Sequence, residues 1–234
     1  MEPDTDPSYF GGDVLKVTIE SEDDSHDHYV HRTLLEKKSP YFAALAPFKE
    51  GRDNHVMLKE VDNDAFEHIV HWLYTDRFSP SFQDWQYTII KTYAAADHLM
   101  MPRCKNMVLD NLRSKYTRIQ ADIGDLGLIK RLGYGASIAI AIYVTDQIVY
   151  EAITNHTWFF REEDHAFVED GGEHVLGLMK KLMEKSRLYS LKADGKSRWT
   201  NKGHSDPART KGCIHHEHAE GEKCYLQEAQ GTTG

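Results

Sequence analysis

The stretch YVHRTLLEKKSPYF (residues 29–42), followed by FEHIVHWLYTD (residues 66–76), decides the fold that this sequence predicts. The first run begins as an extended pair and continues as a short helix from Arg32 to Lys38, with two adjacent leucines on its apolar side. Ser39-Pro40 then predicts the start of a second helix, because serine caps a helix N-terminus and proline fits the first helical position. The second run is an amphipathic helix, since its apolar residues recur at spacings of three, four and seven.

Short strands flank these helices. Val14 to Ile19 alternates β-branched and polar residues, Tyr29-Val30 resumes an extended pattern, and His55 to Leu58 predicts a third strand. The acidic stretch Glu20 to Asp27 predicts a long charged loop in the hairpin. The expected fold class is therefore α+β, a short β-sheet flanked by helices.

Helical patterns continue to residue 189. Gln86 to Leu99 and Cys104 to Leu112 predict two helices, with Pro102 as a break between them. The stretch 117–189 predicts further helices, including a nearly all-apolar one that should be buried. We expect residues 1–12 to be disordered, a domain over 13–115, a helical extension over 116–190, and a largely disordered tail over 191–234.

Composition and charge restrict the classes of function. The chain has 40% hydrophobic residues, three cysteines and a net charge of −9, which is typical of a globular protein without a disulfide framework. Its N-terminus lacks the apolar core of a secretory signal, and its apolar runs are too short to span a membrane. We therefore expect an intracellular protein of the cytoplasm or nucleus, with no membrane partner.

Positive charge is concentrated near the end of the chain. The basic arm, Lys180 to Lys211, holds ten Lys or Arg against three Asp or Glu. Such a run is most often a solvated tail. Nucleic-acid binding, with Trp199 as a stacking residue, is the alternative, but the basic residues are dispersed and the rest of the chain is acidic.

Six pieces of the first half resemble the BTB/POZ domain in their order and spacing. They are DV at 13–14, YVHRTLL at 29–35, SPYF at 39–42, VML at 56–58, AFEHIVHWLYT at 65–75 and AAADHLMMP at 94–102. The whole looks most like BTB proteins of filamentous fungi, in which a family-specific helical region follows the domain. The long acidic loop is a departure, because the family's turn at this point is usually shorter.

The resemblance implies a function by binding rather than catalysis. BTB domains commonly form homodimers through the first helix and the N-terminal segment. Many serve as substrate adaptors of cullin-type ubiquitin ligases, and others recruit transcriptional corepressors. A bare oligomerisation module is a further alternative, because this sequence has no kelch or MATH domain to read a substrate.

The resemblance also assigns candidate binding residues. Asp13 and Arg32 match a charged pocket of some transcriptional members, although such a pair also serves simply as a structural ion pair. Phe48 and Glu50 match the hydrophobic-x-Glu triplet with which adaptors contact a cullin. The triplet is short, and an exposed turn is the alternative interpretation.

The sharpest chemical pattern lies in the tail. Cys213, His215 or His216, His218 and Cys224 are ligand types that tetrahedral zinc prefers. Their spacing differs from that of a standard zinc finger, so an incidental cluster is the alternative. We therefore expect no cofactor apart from possible zinc at this cluster.

An enzyme is the main rival class, and the sequence shows no catalytic motif. Neither a Gly-x-Ser-x-Gly elbow, a phosphate-binding glycine loop, a His-Glu-x-x-His pair nor a dinucleotide fingerprint is present. The fourteen histidines are scattered, and those of the first domain suit surface or capping positions. His68 and His71 lie three apart on a predicted helix, but no third ligand accompanies them.

Overall fold

The structure is a computed structural model of the 234-residue chain. It describes residues 12–21, 24–45, 48, 53–83, 85–135, 137–155, 172–190, 206–209, 213, 215–218 and 224. The predictions for residues 1–11, for Glu50 and for Trp199 lie outside this part of the chain. The chain divides into two compact units, residues 1–108 with 218–234 and residues 109–217.

A three-stranded sheet begins the first unit. Its strands are β1 (Val14–Glu20), β2 (Ser25–His31) and β3 (His55–Leu58), in the order β2-β1-β3. β1 pairs with β2 antiparallel and with β3 parallel. Because side chains alternate along a strand, Leu15, Val17 and Ile19 of β1 all face the core, each with at most 4% exposure.

The hairpin loop is shorter than the sequence predicts. β2 begins at Ser25 rather than near Tyr29, and the amide of Ser21 donates to the carbonyl of Asp24 at 2.9 Å. The prediction was wrong because cross-strand partners stabilise charged residues that are poor strand formers on their own. Asp27, for instance, lies opposite Thr18 and accepts a hydrogen bond from its hydroxyl at 2.7 Å.

Two short helices follow the hairpin with the expected bounds. Helix α1 (Arg32–Lys38) buries its two leucines, and α2 (Pro40–Leu45) begins at the predicted proline. The Ser39 hydroxyl accepts from the amide of Phe42 at 3.3 Å, which confirms the cap. The same hydroxyl donates to the carbonyl of Leu99 at 2.6 Å. Ser39 therefore ties the start of α2 to the end of a later helix.

Helices α3 (Asn63–Thr75) and α4 (Gln86–His98) complete the core of the first unit. Asp62 caps α3 by accepting from the amide of Ala65 at 3.1 Å. A 3-10 turn (Pro80–Gln83) lies between the two helices. The largest fully buried side chains of this unit are Phe42, Phe66, Trp72, Phe82 and Tyr93.

The next helix, α5 (Pro102–Tyr116), begins at the proline that was predicted to separate it from the preceding helix. Proline is compatible with the first helical position because an amide there has no partner within the helix. The helix also extends four residues beyond its predicted end at Leu112.

Three more helices belong to the second unit, as predicted from their periodicity. They are α6 (Ile123–Arg131), α7 (Ala139–Asn155) and α8 (Gly172–Ser190). A capping box begins α6, because Asp122 and Asp125 each accept a backbone amide at its first turn. Helix α7 is the nearly all-apolar one, and Tyr143 and Val144 in its middle are 0% exposed.

Part of the tail is ordered against α7. Residues Pro207–Arg209 form a 3-10 turn, and the amide of Ala208 donates to Oε1 of Gln147 at 2.9 Å. The expectation of disorder does not hold for these residues. Its failure has a physical reason: the acceptor lies 61 residues earlier in the chain, where no local pattern reveals it.

Candidate interaction surfaces and a cysteine–histidine cluster

The outer face of the sheet exposes large apolar side chains. Val14 on β1, Tyr29 on β2 and Met57 on β3 are 43%, 66% and 47% exposed. In the β1–β2 register Val14 lies opposite His31 and Tyr29 lies opposite Lys16, so Val14 and Tyr29 are diagonal neighbours. Met57 belongs to the strand on the opposite side of β1.

A polar cluster occupies the same face. The ammonium of Lys16 lies 2.9 Å from Asp27, and the hydroxyl of Thr18 lies 2.9 Å from Nε2 of His55. Lys16 and Thr18 lower the pKa of Asp27, and Asp27 in turn raises the pKa of Lys16. Thr18 of β1 therefore bridges Asp27 of β2 and His55 of β3. This cluster links the three strands.

The N-terminal segment lies beside the start of α1. The amide of Arg32 donates to the carbonyl of Asp13 at 2.9 Å, and a Cβ added to Gly12 would lie 3.5 Å from Cγ2 of Thr33. The side chain of Asp13 is exposed, whereas the guanidinium of Arg32 donates to Glu36 at 3.4 Å and to Asn54. The structure thus joins the two predicted pocket residues through the backbone.

Phe48 is exposed between α2 and β3. Its side chain is 59% exposed, and its amide donates to the carbonyl of Leu45 at 2.9 Å. Burying an aromatic ring against a partner is favourable, so an exposed Phe in a turn suits a docking contact. Glu50, the charged member of the triplet, lies outside the described residues.

The two histidines of α3 have structural surroundings. His71 Nδ1 lies 2.9 Å from the carbonyl oxygen of Arg77, just beyond the end of the helix. His68 packs edge-on against Phe82 with ring centroids 4.8 Å apart, and burial lowers its pKa. Their arrangement fits helix termination and core packing rather than a shared metal.

Three residues of the tail bring metal-ligand atoms together. One ligand atom each from Cys213, His218 and Cys224 lie within 4.8 Å of one another, which makes them the metal-ligand group found among the described residues. Cys224 is 2% exposed, and the other two side chains are half-buried. The sequence predicted all three as ligands.

The other two histidines of this cluster contact helices of the second unit. His215 packs edge-on against Tyr143 at 5.3 Å between ring centroids, and burial lowers its pKa. Nε2 of His216 lies 3.1 Å from Oδ1 of Asp110, with the His216 side chain fully buried. These contacts point both rings towards α5 and α7, and neither histidine joins the group of three.

Sequence analysis did not predict the buried polar network of the second unit. Tyr116 donates to Asp125 at 2.7 Å, and Gln147 donates to Glu151 at 2.7 Å. Burial raises the pKa of Asp125 to about 6 and that of Glu151 to about 7. The spacing of four between Gln147 and Glu151 on one helix was the signal available in the sequence.

No helix in the described part of the chain has both the length and the apolarity needed to cross a membrane.

One comparison with known proteins identifies a domain in the first half of the chain. Residues 10–116 match the family model described as BTB/POZ domain. A search of curated proteins found no significant match. Among solved structures, the chain is similar to the BTB domain of zebrafish PATZ1, with 17% sequence identity, 43% of this chain and 77% of that chain covered, and a TM-score of 0.32. A TM-score of that size supports no argument, so the assignment depends on the family model.

Proposed function

Because residues 10–116 form a BTB/POZ domain, which is a protein-interaction module, we propose that this chain acts by binding and that two copies pair through this domain. A region of helices α6 to α8 follows the domain. The proposed interface comprises residues 12–14, Tyr29 and the exposed side of α1.

One observation carries the dimer proposal: an exposed apolar pair lies beside the start of α1. Val14 and Tyr29 are diagonal neighbours on the sheet, and the segment before Val14 contacts α1 at Thr33. Both leucines of α1 are buried within the chain, so among the described residues Val14 and Tyr29 supply the apolar part of this surface. An aromatic residue at the centre of an interface often contributes about 2 kcal/mol or more.

Co-purification of two differently tagged copies tests the pairing. Tyr29→Asp should reduce recovery of the second copy at least tenfold, because a carboxylate would be desolvated at the interface. Met57→Asp is the matched control, since Met57 is an exposed apolar residue of the same sheet face on the other edge strand. Equal recovery from both variants, with circular dichroism showing both folded, would contradict the proposed interface.

A second candidate function is that of a cullin-type ligase adaptor, which the exposed ring of Phe48 favours. The ring would fill an apolar groove of the cullin, and Glu50 would contact the edge of that groove. Phe48→Ala with Glu50→Lys should abolish cullin recovery in an affinity pull-down. Trp85→Ala, which removes another exposed aromatic residue, should leave recovery unchanged. Absence of cullin from the wild-type sample would exclude the adaptor role, and recovery of transcriptional regulators would instead favour a corepressor scaffold.

A further inference from the structure

We propose that Cys213, His218 and Cys224 bind one zinc ion, which stabilises the docked form of the tail. This metal site is independent of the dimer and of the adaptor role. It rests on the position of three ligand atoms, on their chemistry and on the contacts of the residues around them.

A backbone turn brings the first two ligands together. The amide of His216 donates to the carbonyl of Cys213 at 3.1 Å, so the chain reverses directly after the cysteine. This reversal brings His218 back towards Cys213. Cys224 joins them from six residues further along, and its side chain is almost fully buried.

The distances suit a single ion. Three atoms that all lie within 4.8 Å of one another share a point within about 2.8 Å of each, which is 4.8 Å divided by the square root of three. Zinc bonds to sulfur at about 2.3 Å and to histidine nitrogen at about 2.0–2.1 Å. Movements of roughly half an ångström per side chain would therefore complete the coordination.

The donor set selects the metal. Two cysteine sulfurs and one imidazole nitrogen are ligands for zinc, whereas calcium and magnesium require oxygen ligands. Three protein ligands leave the fourth tetrahedral position to water or to a further ligand. His215 does not fill it in this structure, because its ring packs on Tyr143.

The ion would act on a segment that is already attached to helices. The amide of Ala208 donates to Gln147, and His216 contacts Asp110, so residues on both sides of Cys213 are anchored. Bonds from one zinc ion to Cys213, His218 and Cys224 would reduce the conformational freedom of the chain between these residues. Zinc binding and docking of this segment therefore favour each other.

A disulfide between Cys213 and Cys224 is the chemical rival, because the same proximity permits oxidation of the two thiols. Cys104 does not compete with them, since it is fully buried in the first unit and burial raises the pKa of its thiol. The two alternatives differ in measurable ways. Zinc keeps all three cysteines reduced, whereas the disulfide lowers the mass by two hydrogens and excludes metal.

The experiment uses the full chain, purified with reductant and then reconstituted with zinc or with cobalt(II) as a spectroscopic probe. We expect one metal per chain by elemental analysis. We also expect thiolate charge-transfer bands and the intense visible bands of tetrahedral cobalt. A folded wild-type chain that retains no metal above the buffer blank, or one that carries the disulfide even in reductant, would overturn the proposal.

Substitutions distinguish the proposed zinc ligands from neighbouring residues that do not bind the metal. Cys213→Ser and His218→Ala should each lose stoichiometric binding and the cobalt bands. His215→Ala is the matched control, because it removes a histidine from the same segment without touching the group of three. If His215→Ala loses metal as completely as His218→Ala, the proposed ligand set is wrong. Circular dichroism of each variant checks that it is folded.

Hydrogen exchange of the wild-type chain measures how strongly zinc binding is coupled to docking of the tail segment. At a free zinc concentration 100 times its Kd, a ligand that binds only the docked form slows exchange by up to about 100-fold. We expect this protection at the amide of Ala208, and its loss when a chelator removes the metal. Equal exchange with and without bound zinc would refute the stabilising role.

Discussion

At the scale of single residues, two buried acids set the electrostatics of the helical region. Asp125 is 0% exposed and Glu151 is 4% exposed. Burial disfavours their charged forms and raises the pKa of Asp125 to about 6 and of Glu151 to about 7. An acid with a raised folded-state pKa binds a proton more readily when folded than when unfolded, so the folded state gains stability as the pH falls.

This sign predicts the pH dependence of the second unit. Glu151 should add roughly 1–3 kcal/mol to the unit's free energy of unfolding as the pH falls from about 7.5 to about 5. Glu151→Gln removes the titrating group while its amide oxygen can still accept from Ala121. In urea melts across this range, the variant should therefore lack this contribution when it is compared with the wild type. An unchanged profile would contradict the assignment.

Ser39 provides a residue-scale prediction for the first unit. Ser39→Ala removes one donor and one acceptor from a fully buried position, where Leu99 and the start of α2 depend on them. We expect a loss of about 1–3 kcal/mol in the free energy of unfolding. Ser25→Ala, at an exposed position of β2, is the control and should cost less than about 0.5 kcal/mol. Similar midpoints for the two variants would count against the role of Ser39.

At the scale of elements, local sequence patterns were sufficient to predict helices whose capping residues and apolar spacing are visible in the sequence. The bounds of α1 and the Ser39 cap of α2 followed from residue types in a fixed order. The start of β2 and the docking of Pro207–Arg209 did not, because distant partners supply their hydrogen bonds. The contacts of His215 with Tyr143 and of His216 with Asp110 were not predicted, for the same reason.

The docked turn yields an element-scale prediction. Gln147→Ala removes one of two side-chain acceptors of the Ala208 amide, which also donates to Oδ1 of Asp206 at 3.0 Å. Exchange of that amide should become up to about fivefold faster, because a net hydrogen bond contributes roughly 1 kcal/mol. Thr145→Ala is the control, since its hydroxyl bonds only within α7, to the carbonyl of Ala141. Equal acceleration in both variants would indicate a general loosening of the helix instead.

At the scale of the whole molecule, sequence and structure agree on a BTB/POZ domain followed by helices. The pieces that resemble the family span residues 13–102, and the family model covers residues 10–116. The proposed dimer surface could be located in the sequence only by resemblance, because Val14 and Tyr29 look like ordinary strand residues until the register shows that both are exposed on one face. A sequence pattern shows the periodicity of apolar residues, but it does not show which face of the sheet stays exposed.

The mass of the wild-type chain in solution tests the central claim most directly. Sedimentation velocity at about 20 µM, a concentration at which ordinary specific dimers persist, should give a species of twice the chain mass of 26.9 kDa. Dilution should convert it to monomer without an intermediate. A single 26.9 kDa species at that concentration would contradict pairing through the BTB/POZ domain.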